Sequence, residues 1–261
     1  MGGAIKTFFY SREDYDFIKS TRDGQIKTDY SNKGVMHMYI GGVMQTDLVT
    51  ISPDTSLAQA RDIINEKQIA HLLVVDKTGK LTGIVSDRDL RQSWASPATT
   101  LSNHELSYLL EKLTIKMIMV KKIITVSPDT TIERAALTMQ MHRISSLPVM
   151  ENKKLVGIIT TNDVMGVLLQ AIGIDRESMR LTVLAEDRIG YIAELTHTLK
   201  EQKINIRSIF SREEKQFPGI HQIVFRVPAA DGEKAVLALK KNGFKVITEY
   251  HGDLTPFLPD R

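Results

Sequence analysis

Hydrophobic positions along the chain change period in an order that occurs twice. Val49-Thr50-Ile51 reads as a short strand, and Leu57, Ala60, Ile63 and Ile64 fall on one face of a helix. Leu72-Leu73-Val74-Val75 and residues 81–85 read as two strands joined by a turn around Lys77-Thr78-Gly79-Lys80. The second pass has Ile124-Thr125-Val126, then Ile132, Ala135, Ala136 and Met139 at helical spacing, then Leu147-Pro148-Val149 and Gly157-Ile158-Ile159. Thr130 and Glu133 have the spacing of a capping box for that helix, and Gly173 is placed to end a closing helix over residues 164–171. A different pattern begins at Arg180. It predicts a strand over 181–185, a helix marked by Ile192, Leu195, Thr196 and Leu199, and strands over 204–209 and 223–227. A helix through Val236 and Leu239 that Gly243 terminates, and a strand over 245–250, complete it.

The two passes are also related residue by residue. Ser52-Pro53-Asp54-Thr55 returns as Ser127-Pro128-Asp129-Thr130, with Pro128 lying 75 positions after Pro53, and the offset falls to 74 between Gly83 and Gly157. The lost residue lies in a turn, where a structural repeat tolerates a length change. Gly83-Ile84-Val85-Ser86-Asp87-Arg88-Asp89-Leu90 and Gly157-Ile158-Ile159-Thr160-Thr161-Asn162-Asp163-Val164 share a glycine, two apolar residues, a hydroxyl and an acid three places on. The hydroxyl-x-x-Asp falls where a strand hands over to a helix. Its plain meaning is a helix cap. Its functional meaning is a carboxylate able to accept hydrogen bonds from ribose hydroxyls, beside helix N–H groups that favour phosphate.

This doubled pattern resembles a tandem pair of CBS domains, the Bateman module, over about residues 38–175. The resemblance implies an adenosine-type ligand in a cleft between repeats: AMP, ADP, ATP or S-adenosylmethionine as regulatory ligand, with no tightly bound cofactor. By position, Asp89 and Asp163 would accept from ribose, with Ser86 and Thr160 at the phosphate end. Thr50 and Thr125 would line the base, between apolar walls from Ile69, Val85, Ile144 and Ile159. Members that bind AMP tightly often carry basic residues before the second strand. Here those positions are Ala70-His71 and Ser145-Ser146, so His71 and Ser146 join the expected site, and charge has to come from His71 or from Arg88, Arg91 or Arg143.

The third pattern is βαββαβ, the ferredoxin-like plan. With Asp187-Arg188-Ile189-Gly190-Tyr191-Ile192-Ala193 and Lys203-Ile204-Asn205-Ile206 it resembles the ACT domain, departing from it where Ile189 replaces a usual proline. That resemblance implies an amino-acid effector near Asp187, Gly190 and Asn205, or an effector-free dimerising domain. The expected organisation is an extension over 1–37, a first CBS domain over 38–96, a linker with a helix over 97–118, a second CBS domain over 119–175 and an ACT domain over 180–261. The linker helix is expected over 103–113, with Leu106, Leu109, Leu110 and Leu113 on one stripe and Ser102 or Asn103 as its cap. Gly42-Val43-Met44 and Lys116-Met117-Ile118-Met119 read as lead-ins to the first and second repeats.

The 261 residues, 42% apolar and 25% charged, suffice for two or three packed cores. A net charge of +3, scattered among 31 acids, does not point to nucleic acid. Cysteine is absent, which excludes disulfides, thiolate metal ligands and a cysteine nucleophile. No apolar run approaches the roughly 18 residues of a membrane span, and a cytoplasmic location is expected. The sequence has no P-loop, dinucleotide glycine motif, zinc-protease motif or nucleophile elbow, and its histidines are not at metal spacing. The expectation is a non-catalytic, homodimeric regulator of an unidentified protein, of a type resembling acetoin-utilisation regulators. A structural adaptor or a nucleic-acid-linked regulator is the alternative.

Overall fold

A computed structural model describes residues 38–93, 111–174 and 177–259, and all of them belong to one compact unit. The expected extension over 1–37 and most of the expected linker helix, with its cap and Leu106, Leu109 and Leu110, lie outside the described residues.

In the first repeat, β1 (Thr50–Ile51) runs parallel to β2 (His71–Val75), which pairs antiparallel with β3 (Leu81–Ser86). Between β1 and β2, α1 (Leu57–Lys67) starts at a capping box of Ser56 and Gln59 and buries Leu57, Ala60 and Ile64. After β3 comes α2 (Asp87–Ser93), then α3 (Ile115–Ile118) beyond the linker. The second repeat has α4 (Ile132–His142), the β4–β5 hairpin (Ser146–Glu151 and Lys154–Thr160) and α5 (Thr161–Ile172). Its expected first strand is reduced to one parallel bridge from Val126 to Val149. The cap of α4 is Thr131, which accepts from the Arg134 N–H, and not the expected Thr130–Glu133 pair. Thr130 instead accepts from the Ser127 N–H and closes the Ser-Pro-Asp-Thr turn. The offsets read in sequence persist in the backbone: α1 and α4 end on left-handed Gln68 and Arg143, 75 positions apart.

Each lead-in packs on the repeat that it does not precede. Tyr39 bridges Thr131, the Ile40 and Gly41 amides donate to Thr130 and Pro128, and Gln45 pairs with Ile158, so Ile40 and Val43 are buried in the second repeat's core. Reciprocally Ser56 bridges Thr114, Ile84 bridges Val120, and Ile115 is buried in the first core. This crossed packing, which the sequence reading did not foresee, explains the motif glycines. A Cβ on Gly157 would lie 3.0 Å from Met44 Cγ and 3.2 Å from the Gln45 carbonyl, and one on Gly83 would lie 2.9 Å from Met119 Cγ. Both glycines are where the opposite lead-in crosses the strand.

The C-terminal domain forms a four-stranded antiparallel sheet in the order β7 (Ser208–Glu213), β8 (Ile220–Pro228), β6 (Ser178–Glu186), β9 (Val246–Ile247). Helices α6 (Tyr191–Glu201) and α7 (Gly232–Lys241) cover the face from which Leu181, Val183, Ile223 and Phe225 point. The order is βαββαβ, as expected. Strand β7 starts four residues later than the expected 204, because Ile204 donates back to Leu199 and is buried beneath α6. The last strand is shorter than the expected 245–250. The Ser208 hydroxyl donates to the Ile172 carbonyl, joining this domain to the end of α5. Among the described residues, no helix is long and apolar enough to cross a membrane.

Candidate functional site

The strand-to-helix junction at β3–α2 is built by local hydrogen bonds. The Ser86 N–H and hydroxyl both donate to Asp89 Oδ2, at 2.8 and 2.6 Å, and the Asp89 N–H returns to Ser86 Oγ at 3.2 Å. The β5–α5 junction repeats this with Thr160 and Asp163, at 2.8 and 2.7 Å to Oδ2 and 3.4 Å for the return bond. Both hydroxyl-acid pairs are therefore helix caps, the plain meaning of the motif. The functional meaning depends on what the remaining carboxylate oxygen faces.

Asp89 lines a cavity of about 650 Å³ between the repeats, and its Oδ1 accepts no hydrogen bond among the described residues. Across it lie Ile144, Ser145 and Ser146 from the second repeat, and Val120, Lys122 and Ile123, just after the second lead-in, form another wall. His71 Nε2 meets Ser145 Oγ at 2.9 Å, bridging the repeats. Burial pushes the His71 imidazole below its ordinary value, opposed by the Asp89 charge, so it is neutral at pH 7. Arg91 is held by Asp87 through Nε at 3.0 Å and a second contact at 2.6 Å. Arg88, Lys122 and Arg143 also line the cavity, and none has an acidic partner among the described residues. Three uncommitted cations, one free carboxylate oxygen and apolar walls from Ile84, Val120 and Ile144 can hold a molecule with an anionic end, vicinal hydroxyls and a flat apolar part.

Of the sequence-predicted residues, His71, Ser86, Asp89, Ile144 and Ser146 meet in this cavity. Asp163 and Thr160 do not, and Asp163 Oδ1 accepts from the Gln45 side-chain amide at 3.2 Å. The expected walls Val85 and Ile159 are fully buried in the two cores. Strand alternation explains this correction: successive side chains point to opposite faces, so Ile84 reaches the cavity and Val85 cannot. Ile69 packs on the first core, while Thr50 and Thr125 are exposed and outside the cavity lining. Lys122 was missed because only the packing of the second lead-in on the first repeat brings it here.

In the C-terminal domain, Asp187, Gly190 and Asn205 are all exposed. Gly190 caps α6 at φ +90° with open space around a would-be Cβ, so its glycine serves the backbone conformation and not a close approach. Asp187 lies 3.7 Å from His221 Nε2. Arg188 beside it grips Glu194 through two hydrogen bonds of 2.8 and 2.6 Å.

The CBS domain family matches residues 40–96 and 115–170, and the ACT domain family matches residues 179–244. A CBS domain-containing protein of Dictyostelium discoideum is 31% identical over 138 residues, which are 52% of this chain and 95% of that protein. The chain belongs to the CBS domain-containing proteins. Its ACT domain follows the CBS pair, and both are regulatory modules. The CBS pair of a solved complex with 5′-methylthioadenosine and S-adenosyl-L-methionine is 26% identical, with 50% of this chain and 94% of that one covered at a TM-score of 0.41. A Vibrio cholerae protein named for acetoin utilization is 27% identical, with 54% and 96% covered at a TM-score of 0.44. The chain spans about a quarter of the homoserine O-acetyltransferases of Methanohalobium evestigatum and Methanosalsum zhilinae, 24% and 23% of their lengths.

Proposed function

We propose that this CBS–ACT chain is a non-catalytic regulator that binds an adenosine-containing ligand in the cleft at the first junction and signals to a partner protein. The observation that carries this reading is Asp89, which keeps one carboxylate oxygen free of hydrogen bonds among the described residues and lines the same cavity as Arg88, Lys122 and Arg143. A carboxylate oxygen suits ribose hydroxyls, the cations suit phosphate, and Ile84, Val120 and Ile144 suit a base. The cations favour a phosphorylated nucleotide, AMP, ADP or ATP, over S-adenosylmethionine. Binding would hold the two repeats in one relative placement, and the ACT domain, reached through Ser208 and Ile172, would carry that preference onward.

Homodimerisation, a cytoplasmic setting, an amino-acid effector near Asp187, Gly190 and Asn205, and control of acetoin or energy metabolism belong to the same proposal and rest on the family resemblance. A second reading, an adaptor with no small ligand, is favoured by the capping boxes that already occupy Asp89 Oδ2 and Asp163 Oδ2.

Thermal unfolding with AMP, ADP, ATP, S-adenosylmethionine and NAD separates the two. Ligand at about 100 times its dissociation constant adds about 2.7 kcal/mol, a rise of several degrees for a chain of this size. A shift with an adenosine ligand that Asp89→Ala abolishes supports the sensor, and no shift with any of the five leaves the adaptor.

A further inference from the structure

The face of the ACT sheet opposite α6 and α7 carries a cavity of about 540 Å³, separate from the CBS cleft. Along β6, Leu181 and Val183 point into the helix-covered core, so Arg180 and Thr182 point to the other side. Both line this cavity, with Arg212 and Glu214 from β7, Gln222 from β8 and His251 from the chain after β9. Thr182 is 1% exposed, and its Oγ1 has no hydrogen-bond partner among the described residues. A hydroxyl buried without a partner costs about 1–3 kcal/mol, so a strand that places one on a cavity floor calls for an explanation.

The charges on the walls indicate which ligand would satisfy it. Arg212 donates to Gln222 Oε1 at 2.8 Å and lies 3.9 Å from the buried Glu214, so it is spoken for. Arg180 has no acidic partner among the described residues, and it stands directly across the β6–β8 ladder from Arg226. Like charges at facing positions repel. Consistently, Arg226 is held below its ordinary value, first by burial and then by the Arg180 charge. An anion beside Arg180 would relieve that repulsion. Glu249 lies on the same cavity and opposes a polyanion, so the fit is to one compact anionic end attached to a hydrogen-bond donor.

We propose that this cavity binds a small hydroxylated oxyanion, a carboxylate or a phosphate ester, with its anionic oxygens on Arg180 and the Thr182 hydroxyl and its own hydroxyl toward Glu249. The floor position is what distinguishes it from a solvated arginine on a sheet face, because the Thr182 hydroxyl has no other hydrogen-bond partner among the described residues.

Calorimetric titration of the full chain at fixed ionic strength, with L-lactate and separately with glycerol 3-phosphate, tests this. One of them is expected to bind one-to-one with a dissociation constant below about 1 mM, and the tighter one identifies the source as carboxylate or phosphate. Arg180→Gln is expected to weaken that binding about tenfold or more. Thr182→Val, which keeps the shape and removes the hydroxyl, is expected to weaken binding while leaving the ligand-free melting temperature equal or higher. The site is overturned if neither probe binds below about 1 mM, or if Arg180→Gln binds as tightly as the parent. Should Thr182→Val not fold, Arg180→Gln decides alone, since Arg180 is exposed and its loss spares the core.

Discussion

At the end of β3, Asp89 closes a capping box with Ser86 and lines a cavity; at the end of β5, Asp163 closes the same box with Thr160 and its second oxygen accepts from the Gln45 amide. The difference traces to one pair of equivalent positions. Gln45 bridges Ile158 in the second repeat, and 75 residues on, Val120 bridges Ile84 in the first. An amide at one position occupies the neighbouring carboxylate, whereas an isopropyl group at the other leaves it unoccupied and adds an apolar wall. Two junctions with the same backbone and the same cap thus present different chemistry, and the residue that decides it comes from outside the motif.

The crossing of the lead-ins, on which this comparison rests, is the largest effect to test. Gly157→Ala is expected to destabilise the chain by about 1–3 kcal/mol, more than the roughly 0.4–1 kcal/mol that alanine contributes by restricting the unfolded chain. Gly83→Ala is expected to cost less, since the nearest atoms to its new methyl all belong to the flexible Met119 side chain, while those of Gly157→Ala include the Gln45 carbonyl. Urea midpoints measure both. If the two glycines tolerate alanine without loss, the lead-ins do not cross as described.

A smaller effect separates the two caps. Asp89→Ala and Asp163→Ala each lose a capping acceptor, about 0.5–2 kcal/mol apiece, and Asp163→Ala loses the Gln45 bond in addition. In ligand response the ranking reverses, with Asp89→Ala the damaging change. Val120→Gln sharpens this further: supplying the first junction with the amide that the second already has should weaken nucleotide binding about two- to tenfold, read by titration.

The smallest effect is a pH dependence at the cavity. His71 is held below its ordinary value of 6.5 by burial, so the unfolded chain takes up the proton first as pH falls. Stability is therefore expected to be full above pH 6.5 and to fall as pH drops through 6.5 toward the lowered folded value. His71→Asn should flatten that part of the pH–stability curve, and an unchanged slope would show that the imidazole is not buried as described.

Much of this was legible in the residues. The repeat, its one-residue deletion, the order of elements apart from the second repeat's first strand, and the two hydroxyl-acid pairs follow from spacing alone, because period is a local property. What was not legible depended on partners far away in sequence. Nothing near Gly42-Val43-Met44 says that it packs on the second repeat, so the pairing of Gln45 with Asp163 and the arrival of Lys122 beside Asp89 were out of reach. Val85 and Ile159 were misplaced for a different reason: the motif aligns them with the cleft, but the strand alternation, readable in principle, turns them into the cores and leaves Ile84 on the cavity.

The most direct measurement is the stoichiometry and affinity of AMP or ATP, by calorimetry, on the parent chain, Asp89→Ala and Asp163→Ala. One nucleotide per chain is predicted, lost in Asp89→Ala and retained within about twofold in Asp163→Ala. Equal loss in both variants, or no nucleotide bound by the parent, would contradict a sensor built on the first junction.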